Sequence, residues 1–165
     1  IKSIGHGTTV RKNLENSEEV WRVIYELSQE VGERLRKTGV FAFGVEIEIK
    51  DSTLKKRSCQ GALDFPTKNS LKLSEAAFKL FKNNYEWQNP VRALSLRAIN
   101  LATDMRNIQL DFSINLNKEK KTGKIDETVD EIHQKYGNKI LTYGSLMGEW
   151  QPSMPSVLPE FGFSL

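Results

Sequence analysis

Apolar side chains along this chain recur with two different periods, and the order in which those periods alternate restricts the fold more than any other feature. In NSEEVWRVIYELSQEVGERLRKTG, residues 16–39, Val20, Ile24, Leu27, Val31 and Leu35 recur at steps of three and four, one apolar stripe along a helix. Asn16 stands at the cap position, Glu19 three residues later completes a capping-box pattern, and Thr38-Gly39 ends the run by the glycine route. In VFAFGVEIEIKD, residues 40–51, the period drops to two. Val45, Ile47 and Ile49 alternate there with Glu46, Glu48 and Lys50, as in a half-buried strand. DST is a turn, and LKKRSCQGAL (54–63) returns as a more polar strand, making a hairpin. DFPTKN (64–69) is expected to be a loop, because Pro66 would interrupt a central strand. SLKLSEAAFKLFKNNYEW returns to helical spacing, with Leu73, Ala77, Leu80 and Phe81 on one side. Asn89-Pro90 breaks it, and VRALSLRAINL alternates again with Leu94, Leu96 and Ala98 on one face.

The opening KSIGHGTTV is also β-like, with Gly5 and Gly7 on the same face although glycine weakens a strand. The order over residues 2–101 is therefore β-α-β-β-α-β. That order predicts an α+β, ferredoxin-like fold: a four-stranded antiparallel sheet with two helices on one face. Two helices cover only one face, so the other must meet solvent or a partner. Three segments are expected: a domain at 1–105, a polar and charged linker at 106–124, and a tail at 125–165. The tail holds a short helix (Ile125, Val129, Ile132, Tyr136) closed by Gly137, then an extended, proline-containing stretch.

With 165 residues the chain suffices for one domain with a real core plus an appendage. Its single cysteine, Cys59, excludes an internal disulfide framework and fits a reducing cytoplasm. The longest apolar run, VFAFGV, is far short of the roughly 18 residues of a membrane span. The chain begins at Ile1, and the expectation is a segment of a longer protein. Residues 1–105 hold 17 Lys/Arg against 13 Asp/Glu and residues 106–165 hold 7 against 8, so the front is mildly basic, compatible with nucleic acid.

Catalytic constellations are missing. There is no glycine-rich phosphate loop with its Lys and Ser/Thr, and no G-x-S-x-G elbow. His6 and His133 lack a Cys or His at ligand spacing and are expected on the surface. Asp126, Glu127, Asp130 and Glu131 are expected to form a solvated helix face, and Cys59 a small, partly buried strand residue. No active site and no cofactor site is visible in this chain.

KSIGHGTTV, the helix ending RLRKTG, the hairpin reaching FPTKN, and PVRALSLRAINL together resemble the little-finger domain of Y-family lesion-bypass DNA polymerases, the bacterial DinB/UmuC type above all. The resemblance runs in order through residues 2–101. IQLDFSI followed by DETVDEIHQKYGNKI is similar to the C-terminal tail of the same polymerases. The resemblance implies a catalytic palm with its magnesium-binding carboxylates, and fingers and thumb, elsewhere in the same polypeptide. It also implies a cytoplasmic, SOS-type role in DNA repair, with this domain gripping the primer–template duplex by laying its sheet in the major groove. An open sheet face suits that task, since strand-borne Arg, Lys and backbone N–H groups supply the sequence-independent phosphate contacts that a polymerase needs.

Residue by residue, the resemblance places DNA contacts at Lys2, at Ser3, Ile4, Gly5 and His6 through their backbone, at Arg57 and Ser58 on the third strand, and at Arg92 and Arg97 on the last. Arg11, Lys12, Lys55 and Lys56 are secondary candidates. Arg92 and Arg97 differ in strand parity, so both can reach DNA only if a bulge or the strand end re-aims one of them. Cys59, Gln60, Gly61 and Ala62 stand where the family often carries further bases, and Glu46 and Glu48 oppose the apolar face of their strand. Both departures should weaken phosphate attraction. Gln109, Leu110 and Phe112 in QLDF resemble the sliding-clamp-binding peptide of bacterial polymerases with one leucine missing, a pattern suited to pocket docking. Ile108, Leu110, Phe112 and Ile114 equally alternate as an edge strand would. A protein-interaction module that binds the sliding clamp or another replication protein is the alternative function.

Overall fold

The computed structural model describes residues 2–103, 116–137, 141 and 144, with side chains from residue 123 onward in the last helix. The alternating periods become β1 (Ser3–Leu14), α1 (Ser17–Thr38), β2 (Phe41–Asp51), β3 (Lys56–Thr67), α2 (Ser70–Asn84) and β4 (Val91–Ala102), followed by α3 (Leu116–Tyr136). The sheet is antiparallel throughout, in the order β1-β4-β2-β3, so β1 and β3 are its edges. The expected α+β architecture is the observed one. The whole α1 stripe is buried, and it meets Leu73, Ala77 and Phe81 of α2 over Val45, Ile47 and Ile49 of β2 and Leu94, Leu96 and Ala98 of β4. One hydrophobic layer thus glues both helices to one face, the step from period to packing that the sequence pattern demanded.

Local chemistry ends the helices where the sequence indicates. Asn16 Oδ1 accepts from the Glu19 amide at 2.9 Å. Glu19 reaches back to the Glu15 amide at 2.7 Å, one residue beyond the position of an ordinary capping box. At the other end Gly39 takes φ +70°, its amide reaching Arg36 O and that of Val40 reaching Leu35 O, the paired bonds of a Schellman motif.

Three expectations are corrected. Residues 64–67 are strand, not loop: β3 runs to Thr67 and includes Pro66. Proline is tolerated because β3 is an edge, and because the ladder slips between Gly44↔Ala62 and Ala42↔Thr67, leaving extra β3 residues that owe no ladder bond. α3 begins at Leu116, so the charged stretch read as linker up to residue 124 is helical. Lys and Glu are good helix formers, but a run without an apolar stripe gives no periodic signal.

The third correction concerns Asp126 and Asp130, which are not a solvated face. Asp130 accepts a bidentate pair of bonds from Arg36 Nε and Nη2 at 2.5 and 2.9 Å. Asp126 Oδ2 accepts from Arg36 Nη1 at 3.2 Å, Asn69 Nδ2 at 3.0 Å and the Ser70 amide at 3.2 Å. Arg36 Nη1 also donates to Lys68 O and Ser70 Oγ. The Arg36 and Asp126 side chains are only 10% and 9% exposed. Burial, ahead of the opposing pull of Arg36, raises the Asp126 carboxyl above its usual range. Helix α3 therefore docks by its acidic face. Of the expected apolar stripe, Ile125 and Tyr136 stay more than half exposed, and no described residue of α3 joins the core.

Candidate nucleic-acid interface

The face of the sheet opposite the helices is read directly from the register. Ile4 and Thr8 of β1 are buried against the helices, which leaves Ser3, Gly5, Gly7 and Thr9 on the open face. Their partners on β4 are Ile99, Arg97, Ser95 and Ala93. On β2 the open face carries Gly44, Glu46, Glu48 and Lys50, and on β3 it carries Ala62, Gln60, Ser58 and Lys56. Most of these side chains are short, so the surface is shallow and its backbone approachable.

Arg92 lies at a β-bulge. Lys50 pairs with Ala93 but Asp51 pairs with Val91, so two β4 residues advance for one of β2 and Arg92 is the extra one. Val91 and Leu94 are both buried. Alternation from either side then puts Arg92 and Ala93 together on the open face, the face that also carries Arg97. The parity conflict between the two arginines is resolved by the bulge. The sequence held a signal for it, since two buried apolar residues three apart break a period of two.

Charges on this face are partly cancelled. Arg97 Nη1 lies 3.4 Å from Glu46 Oε2, Ser58 Oγ donates to Glu46 Oε1 at 2.7 Å, and Lys56 Nζ lies 3.0 Å from Glu48 Oε1. Lys50 joins the same row, a base that sequence reasoning did not single out although its parity with Glu46 and Glu48 was plain.

The remaining expected residues divide. Ser3 and Ser58 are exposed on the open face, and Lys2 is exposed just before β1. Ile4 turns its side chain into the core, and the His6 imidazole lies 3.7 Å from Glu30 of α1, so both offer the open face their backbone alone. Arg57 shares the parity of Cys59, on the helix side, and lies near Tyr85, whose phenol is raised mainly by burial. The sheet thus separates Arg57 from Ser58. Gly5 and Gly7 have a reason inside the sheet: a Cβ on Gly7 would sit 2.9 Å from Ser95 Cβ, and one on Gly5 would sit 3.1 Å from Leu96 O and 3.2 Å from Arg97 Cγ. Glycine here lets the Ser95 and Arg97 side chains lie across β1. Gln109, Leu110 and Phe112 lie outside the described residues. Among the described residues no three His, Cys, Asp or Glu gather to hold a metal ion, and no helix is long and apolar enough to cross a membrane.

Residues 1–112 match the impB/mucB/samB family C-terminal domain. The chain belongs to that family. Its family is that of the C-terminal, little-finger domains of the DinB/UmuC-type Y-family polymerases, as the resemblance implied. DNA polymerase IV of Acetivibrio thermocellus is 33% identical over 147 residues, covering 89% of this chain and 37% of the relative. That of Clostridium kluyveri is 28% identical over 153 residues, 89% of this chain and 38% of the relative. The chain spans under two fifths of the length of these curated relatives. Two solved structures share its fold. A complex of the β-clamp processivity factor with the little-finger domain of PolIV superposes with TM-score 0.51 at 18% identity, covering 68% of this chain and 99% of that one. An insertion ternary complex of Dbh DNA polymerase gives 0.54 at 12% identity, covering 62% and 29%.

Proposed function

We propose that the open sheet face of this little finger grips the primer–template duplex through sequence-independent phosphate contacts, within a translesion polymerase whose magnesium-dependent palm is supplied by the rest of the polypeptide. The observation that carries this reading is the bulge, which aligns Arg92 with Arg97 on one shallow face. Two guanidiniums there can each bond a phosphate oxygen, while Gly5 and Gly7 keep the β1 backbone approachable. Such contacts are blind to base identity, as a polymerase travelling along any template requires. The test is fluorescence anisotropy of labelled primer–template DNA across a salt series. Arg92→Ala and Arg97→Ala should each weaken binding and lower the slope of log K against log salt by about one. Binding indifferent to salt and to both arginines would sink the proposal.

A second reading, clamp docking through Gln109, Leu110 and Phe112, is favoured by the PolIV little finger of like fold having been solved with a β-clamp. A pull-down with the bacterial clamp tests it: Leu110→Ala with Phe112→Ala should abolish capture, and capture retained by that variant dismisses the peptide.

A further inference from the structure

The acidic residue at the middle of the open face holds both of its neighbours' donors. Glu46 stands on β2, an inner strand, between β4 and β3. One carboxylate oxygen takes the Ser58 hydroxyl of β3 at 2.7 Å and the other faces the Arg97 guanidinium of β4 at 3.4 Å. A guanidinium and a hydroxyl converging on two oxygens of one anion are also what a backbone phosphate would accept. We infer that Glu46 is an internal stand-in for phosphate: it keeps Arg97 and Ser58 turned toward the binding face and sets an upper limit on the affinity of that face for DNA.

This rests on the proposed DNA-binding role of the face, and its consequence is specific. With Glu46 present, a phosphate gains Arg97 only by exchange with a carboxylate, which then stays beside the incoming charge. The grip is weakened without loss of geometry, and a weak, exchangeable contact lets the domain move along with each added nucleotide. Glu46 is a positioning residue, acting through Arg97 and Ser58.

The experiment uses the 165-residue chain with labelled primer–template DNA, comparing Glu46→Gln with Arg97→Ala and with Glu75→Gln. Glutamine keeps the shape and an acceptor but removes the charge. Glu75 lies exposed on α2, in the helix layer, so Glu75→Gln makes the same change in net charge away from the sheet. Glu46→Gln should bind about five-fold tighter near 0.1 M salt, the weight of one like-charge pair about 4 Å apart in water, with Glu75→Gln unchanged. Equal circular-dichroism melting of the variants guards against a folding artefact. If Arg97→Ala weakens binding while Glu46→Gln does not tighten it, the stand-in role is overturned and the DNA-binding reading survives. Equal tightening by Glu46→Gln and Glu75→Gln overturns it too, because net charge would then suffice. Indifference to Arg97→Ala and Arg92→Ala would remove the reading itself and the inference with it.

Discussion

Replacing Arg36 by Met should free α3 while leaving the α/β core folded. Arg36 makes three bonds to Asp126 and Asp130 and two more to Lys68 O and Ser70 Oγ. Removing one partner of a buried ion pair costs about 3–5 kcal/mol when the other charge must stay buried. Here it need not stay, because α3 contributes nothing described to the core and can swing out, returning both carboxylates to water. The loss borne by the core is then limited to the bonds Arg36 makes within it, about 1–2 kcal/mol, or a shift of order 5–10 °C in Tm for a domain of this size. Methionine retains the apolar stem, so packing is little disturbed. Hydrogen exchange followed by mass spectrometry is the assay: peptides covering 123–137 should lose their protection, while those of α1, β2 and β4 exchange nearly as before. Asp126→Asn should act in the same direction but less, because burial already works against that carboxylate's charge and the amide still offers Ser70 an acceptor. A single cooperative loss of 3–5 kcal/mol, with α3 and the core deprotected together, would refute the reasoning. So would protection of α3 that survives the substitution.

Two further outcomes concern Gly7 on β1 and Glu26 on α1. Gly7→Ala should destabilise the domain by about 1–3 kcal/mol in urea unfolding, since its methyl would meet Ser95 Cβ, and adding Ser95→Gly should restore most of the loss; no rescue would mean that the glycine serves something other than this contact. Burial, and then the charge of Glu30, pushes the Glu26 carboxyl up from 4.5 to about 7, and its Oε2 has no hydrogen-bond partner among the described residues. An acid with a raised folded-state pKa stabilises the fold while protonated, so stability should fall as pH rises from about 4.5 to about 7 and stay lower above that. Glu26→Gln should flatten the slope and raise Tm at pH 8 relative to the parent; equal slopes in the two proteins would show that Glu26 is not its source.

Apolar periods and caps, which depend on neighbours a few residues apart, were legible in the sequence. The α1 stripe, the Asn16 cap, the Gly39 terminus and the alternation of β2 and β4 are local patterns, because a helix or strand turns side chains to one face at a fixed spacing. They determined which face of each element is apolar, hence one layer of helices and an opposite sheet face, free of helices among the described residues, carrying Arg97, Glu46 and Ser58. Tertiary structure decided what lies beside what. The order β1-β4-β2-β3 made β3 an edge that can hold Pro66, and the slip between Lys50 and Asp51 put Arg92 on the same face as Arg97. It also set Arg36 against Asp126 and Asp130, 90 and 94 residues away, turning an expected solvent face into the docking face of α3. Charged residues carry no period that names their partner. A carboxylate finds its guanidinium only after the core has fixed the helices that bear it, whereas an apolar stripe needs only to find other apolar surface.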